Sequence, residues 1–91
     1  MEINMNPEQL EELKSSAEEG FARAQFNLAV CYHHGAGLEK DFDKAMEWYL
    51  KSADQGNLNA SYTLACMYYE GEEVPKDMEK AVQYFRVAAE K

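Results

Sequence analysis

The sequence predicts an all-α fold, an α-solenoid of antiparallel helix pairs, on three observations. Residues 17–52 laid over 53–88 without gaps share eleven identities, where ordinary residue frequencies supply about two. Apolar residues recur at helical spacing through both units, and no stretch alternates as a half-buried strand requires. Glycines and capping residues fall at matching offsets, so the helices start and stop in register from one unit to the next.

A half-unit and two whole units of 36 residues give five helices, near 7–19, 22–34, 42–55, 58–70 and 78–90. Residues 1–91 thus read as one domain: an N-terminal half-repeat at 7–19 that caps the stack, repeat 1 at 17–52 and repeat 2 at 53–88. Asn6 can cap the first helix, Pro7 sits at its first position and Gln9 completes a capping box; Met5 and Leu10 are spaced as a hydrophobic staple. Glu8, Glu11, Glu12, Lys14 and Ser15 make its outer face polar, as a terminal helix needs. In the second helix Ala24, Leu28, Cys31 and Tyr32 share one face, and Gly35 ends it. Asp41 caps the third, whose apolar face carries Phe42, Ala45, Met46, Tyr49 and Ala53 before Gly56. The fourth and fifth repeat this with Leu64, Tyr68, Gly71, Asp77, Ala81, Val82, Phe85 and Ala89. Trp48 and Tyr84 occupy equivalent positions and are expected in the core.

Composition bounds the function. The chain has 91 residues, 46% of them hydrophobic, enough for a thin core. Its net charge of −8 is spread along the whole length, which excludes nucleic acid and anionic membrane surfaces as main partners and favours a cationic one. The longest apolar run, Leu64 to Tyr69, is six residues, against the eighteen or so that a membrane span requires. Two cysteines, Cys31 and Cys66, are too few for a disulfide-stapled scaffold. With no secretory signal visible, the expected setting is cytoplasmic, with both thiols reduced.

The strings Ala24-Gln25-Phe26-Asn27-Leu28-Ala29-Val30-Cys31-Tyr32-His33-His34-Gly35 and Asp41-Phe42-Asp43-Lys44-Ala45-Met46-Glu47-Trp48 resemble the Sel-one-like repeat, a relative of the tetratricopeptide repeat. Repeat 2 carries the same resemblance in Leu64 to Gly71 and Asp77 to Ala81. Two departures stand out: Ala29 and Ala65 replace a frequent glycine, and the Gly35/Gly37 turn becomes Gly71-Glu72-Glu73, which predicts a different path there. The resemblance implies a curved stack whose concave face binds a peptide or another protein, a non-catalytic adaptor or scaffold.

No residue cluster predicts chemistry. His33 and His34 point about 100° apart on a helix, and further metal ligands are missing from the pattern, so no metal or cofactor is expected. An activated cysteine needs an electropositive setting that this chain lacks. The acidic run from Glu70 to Glu73 reads as a solvated turn.

At about 100° per residue, Leu28 and Tyr32 face the second helix of the repeat, and Arg23, Phe26, Val30, His33 and His34 turn away from it. With their repeat-2 equivalents Asn59, Tyr62, Cys66, Tyr69 and Glu70 they form the candidate concave binding face. The last helix has no follower, so Val82, Phe85 and Ala89 form a candidate open edge through which a second chain, including a homo-oligomer partner, could pair. A protein-interaction module is therefore the first reading, an assembly element the second, and a small hydrolytic or metal-dependent enzyme the third.

Overall fold

Helix α1 (Pro7–Glu18) begins where a complete capping box satisfies the first amides. The Gln9 N–H donates to Asn6 Oδ1 at 2.8 Å and the Asn6 N–H to Gln9 Oε1 at 3.1 Å. The computed structural model describes residues 6–90, so the expected Met5–Leu10 staple lies outside the described residues. Four more helices follow, α2 (Ala22–His34), α3 (Phe42–Asp54), α4 (Leu58–Glu70) and α5 (Met78–Ala89), within one residue of the expected bounds. Asp41 and Asp77 cap α3 and α5 through bonds of 3.1 Å from the Lys44 and Lys80 amides, and Asn57 caps α4 through the Ala60 amide. Phe21 occupies the equivalent position before α2 and offers no side-chain acceptor.

Each helix packs on its neighbours in the chain, most extensively within the pairs α2·α3 and α4·α5. The core runs along this stack. Leu10 and Ala17 of α1 meet Ala24 and Leu28 of α2, while Ala29, Ala45, Tyr49, Leu64 and Met67 join α2, α3 and α4. Tyr32 and Trp48 pack against both clusters and make them continuous. Small residues stand at matching places in each pair: Ala29, Ala45, Ala65 and Ala81 are completely buried. Larger side chains there would force the helix axes apart. Polar groups brace the other end of repeat 1. The Gln25 side chain donates to the Ala17 carbonyl and accepts from Gln55 Nε2 at 2.8 Å, and Ser52 Oγ donates to the Ala22 carbonyl at 2.7 Å. Glu8, Glu11 and Glu12 leave the far side of α1 charged and solvated.

The two long turns part and then rejoin. Gly35 (φ +72°) and Gly71 (φ +67°) end α2 and α4 in the left-handed conformation, their N–H groups donating to Cys31 and Met67. Turn 1 then has an Ala36 N–H bond to the Cys31 carbonyl and Gly37 at φ +80°. Turn 2 has Glu73 in place of Gly37, and among the described residues only glycines have positive φ, so its path differs there as the sequence predicts. Both turns reconverge on the same closure, with Asp41 N–H on Tyr32 O and Asp77 N–H on Tyr68 O at 3.0 Å.

These glycines give a matched pair of substitutions. A Cβ on Gly35 would lie 3.3 Å from Lys40 Cβ, whereas one on Gly71 would lie 2.6 Å from Lys76 Cβ and 3.1 Å from its Cα. Gly35→Ala is expected to cost about 1–2 kcal/mol from left-handed strain alone. Gly71→Ala should cost roughly 1–3 kcal/mol more, because backbone must also shift. Urea denaturation of the two variants beside the parent measures the difference; equal losses would show that the second turn yields freely.

Candidate functional site

The predicted binding stripe divides in two. Phe26 and His33 do not turn away from the second helix of their repeat, contrary to expectation. Phe26 and Val30 are half-buried against the α2–α4 core, and the Phe26 ring lies 5.8 Å from Tyr49 of α3. The His33 ring sits 5.5 Å from Phe42, also in α3. Leu28, expected to face α3, packs in the cluster with Leu10 and Ala17 of α1, against which Trp48 of α3 also packs. The physical reason is that a first helix in a stacked repeat touches two second helices, its own and the preceding one, and so buries two faces. Arg23 and His34 are exposed.

In repeat 2 the same positions meet solvent. Tyr62 is 57% exposed and Tyr69 53%. Their rings stand edge-on to Phe85 of α5 at 5.8 and 6.4 Å, so these two also lean toward the second helix while leaving much of their surface free. Asn59 and Glu70 are exposed and Cys66 half-buried between the two tyrosines on one helical stripe. A hydrogen bond with the Cys66 thiol pushes the Tyr62 phenol above its ordinary value. Lys76 Nζ lies 5.9 Å from the Tyr69 ring centroid, a cation on an aromatic face. At the edge, Val82 is 49% exposed, Ala89 is exposed and Phe85 is half-buried beneath the tyrosines.

One cluster joins the repeats. Tyr49 is among the largest fully buried side chains, 1% exposed, and its hydroxyl lies 3.1 Å from His33 Nδ1. His33 Nε2 is 2.9 Å from both carboxylate oxygens of Glu73. With the Nε2–H tautomer, the ring donates to Glu73 and accepts from the Tyr49 hydroxyl. His34 stacks on His33 at 4.7 Å. Burial first, then the Glu73 charge and Cys31, push the Tyr49 phenol up to about 12. The arrangement works as a clasp between α2 and the turn after α4. Among the described residues, no group of three or more His, Cys, Asp or Glu side chains is placed to hold a metal ion.

Sequence reasoning missed Glu73 as more than solvated turn, though its replacement of Gly37 was visible in the repeat alignment. It also missed Phe21, exposed where its equivalent Asn57 caps a helix. Phe21 borders a shallow groove of about 710 Å³ between α1 and α2, with Leu13, Arg23 and Asn27 among its walls.

The comparisons with known proteins agree with this architecture. A family model for the Sel1 repeat matches residues 22–57 and 58–91. The chain belongs to the Sel1 repeat family. Its matched units start at α2 and α4, the same 36-residue period read from a different origin. Among solved structures it is similar to a Sel1 repeat protein from Oxalobacter formigenes, with 34% identity and a TM-score of 0.86 over 91% of this chain. It is also similar to c5321, a protective antigen of uropathogenic Escherichia coli strains with an SLR fold, at 42% identity and a TM-score of 0.84 over 94% of this chain. The chain spans only 34% and 18% of those two proteins. No curated protein matches the chain significantly. Sel1 repeats are typically protein–protein interaction modules and generally non-catalytic scaffolds. Among the described residues, no helix is long and apolar enough to cross a membrane.

Two measurements test the local chemistry. The folded protein holds the Tyr49 proton up to about pH 12, whereas an unfolded tyrosine releases it near 10.0. The stability this proton confers is complete below pH 10.0 and is lost as pH climbs toward 12, about 2–3 kcal/mol in all. Urea titrations across that window should show a shallower decline for Tyr49→Phe; an unchanged slope would remove Tyr49 from the alkaline transition. The thiols differ as well. Cys31 is buried and its thiol is pushed up by desolvation, while Cys66 is only half-buried. A neutral alkylating reagent should therefore modify Cys66 before Cys31 in the native state, read by mass spectrometry. Cys31 leading would place Cys66 in a closed contact.

Proposed function

We propose that the protein is a non-catalytic adaptor whose repeat-2 first-helix face docks a basic segment of a partner protein. The observation that carries this reading is the pair of half-exposed tyrosines, Tyr62 and Tyr69, set on Phe85 in a chain of net charge −8. Aromatic rings supply large contact area at low entropic cost, and their faces attract cations. Lys76 over Tyr69 supports the second half of that statement within the protein itself. Glu70, exposed on the same helix, adds negative charge beside the rings. In this reading Tyr62, Cys66, Tyr69 and Glu70 form the centre of the concave face. Arg23, His34 and Asn59 lie at its margin, and Phe26, Val30 and His33 act mainly as the packing beneath it.

A randomised peptide display library selected against the protein should enrich Lys- and Arg-containing sequences. Binding of the enriched peptides should weaken as salt rises, since exposed charges are screened over about 8 Å at physiological ionic strength. Tyr62→Ala with Tyr69→Ala should reduce affinity about tenfold or more without loss of helicity. Enrichment of acidic peptides, or affinity indifferent to both tyrosines, would overturn the reading.

A further inference from the structure

Repeat 1 supplies the reference for the last helix. Met46, Leu50 and Ala53 of α3 are partly buried against the core shared with α4. Their equivalents one period later are Val82, Arg86 and Ala89 of α5, all exposed. The change from Leu50 to Arg86 matters, because an apolar helix seated as α4 sits on α3 would bury that guanidinium without a partner. The occupant of this face must carry an acceptor opposite Arg86.

The exposed stripe of α5 contains such an acceptor. Glu79, Val82, Gln83 and Arg86 recur at i, i+3, i+4 and i+7, on one side of the helix. With Met78 and Val87 they border a shallow depression of about 680 Å³. The order is charge-palindromic: Glu79 and Arg86 are equidistant from the midpoint between Val82 and Gln83, and so are Met78 and Val87. Two turns separate the charges, about 10.5 Å along the axis. A parallel copy of α5 would set glutamate against glutamate. An antiparallel copy sets Glu79 against Arg86 twice and brings the two Val82 side chains together beside the two-fold axis. Stacking on α1 of another copy would meet Arg86 with Glu8, Glu11 or Glu12 but would set Glu79 against the same acidic face.

We propose that α5 is an isologous dimer interface, in which two copies of this chain pair antiparallel around Val82 with a Glu79–Arg86 ion pair on either side of it. A C2 arrangement makes one surface complementary to itself. The tyrosine face described above is not required for it, so either surface can be tested without the other. Because each copy contributes one helix, and each carries a net charge of −8, the dimer is a concentration-dependent one.

Sedimentation velocity over a wide concentration range reads the equilibrium. The parent protein should pass from monomer to dimer as concentration rises. Glu79→Arg and Arg86→Glu should each raise the dissociation constant about tenfold or more, with unchanged helicity by circular dichroism. Mixing the two variants should restore dimer, because the copy with two arginines then meets the copy with two glutamates. Val82→Lys, which sets two like charges beside the two-fold axis, should also dissociate it. A parent protein that stays monomeric at the highest concentration overturns the proposal. A dimer indifferent to the charge reversals, or variants that fail to complement each other, overturns it equally.

Discussion

Burying a phenol without orphaning its hydroxyl is the constraint on which this structure turns. Tyr49 fills the middle of the stack, and a buried O–H left without a partner costs a substantial part of a small domain's stability. His33 meets that need from α2, and its remaining nitrogen requires a partner of its own. Glu73 supplies one from forty residues along the chain. One side chain's polar requirement thus fixes the position of α3, the ring orientation in α2 and the path of the turn after α4. The aromatic contacts with Phe26 and Phe42 hold the same group from the sides.

Repeat 2 lacks this constraint, and its surface differs accordingly. Phe85 stands where Tyr49 stands and has no hydroxyl to satisfy; Tyr69 stands where His33 stands. Phe21 apart, the aromatic residues of repeat 1 gather inward, with Phe26 and Phe42 around a buried phenol. In repeat 2 two tyrosines are turned outward, resting on a half-buried phenylalanine. Helices of matching limits therefore present different faces: Phe26 and His33 are framework in repeat 1, while Tyr62 and Tyr69 in repeat 2 are open to solvent. A stack of this kind offers broad shallow surfaces in place of an enclosed pocket, which suits recognition of another chain.

Much of the architecture is readable residue by residue because its causes are local. Asn6 with Gln9, Asp41, Asp77, Gly35 and Gly71 act within one helical turn of themselves, so their effects follow from spacing alone. The 36-residue period is a further local rule applied twice, and it carries the family with it. The divergent second turn is legible for the same reason, since Glu73 cannot take the left-handed conformation of Gly37 without strain.

The faces of the first helices belong to the tertiary structure. A helical wheel shows that Leu28 and Phe26 lie on different sides of α2, but both sides are buried, Leu28 among α1 residues and Trp48, Phe26 beside Tyr49 of α3. Nothing in the 3.6-residue period distinguishes those neighbours. The Glu73–His33 contact is equally invisible, because it depends on where two repeats sit relative to each other. Helix number, helix limits, acidity and family were thus determined by the sequence itself, through interactions a few residues apart. Which aromatic residues are framework and which are surface was decided only when the helices stacked, because burial is a property of neighbours that the chain brings together from a distance.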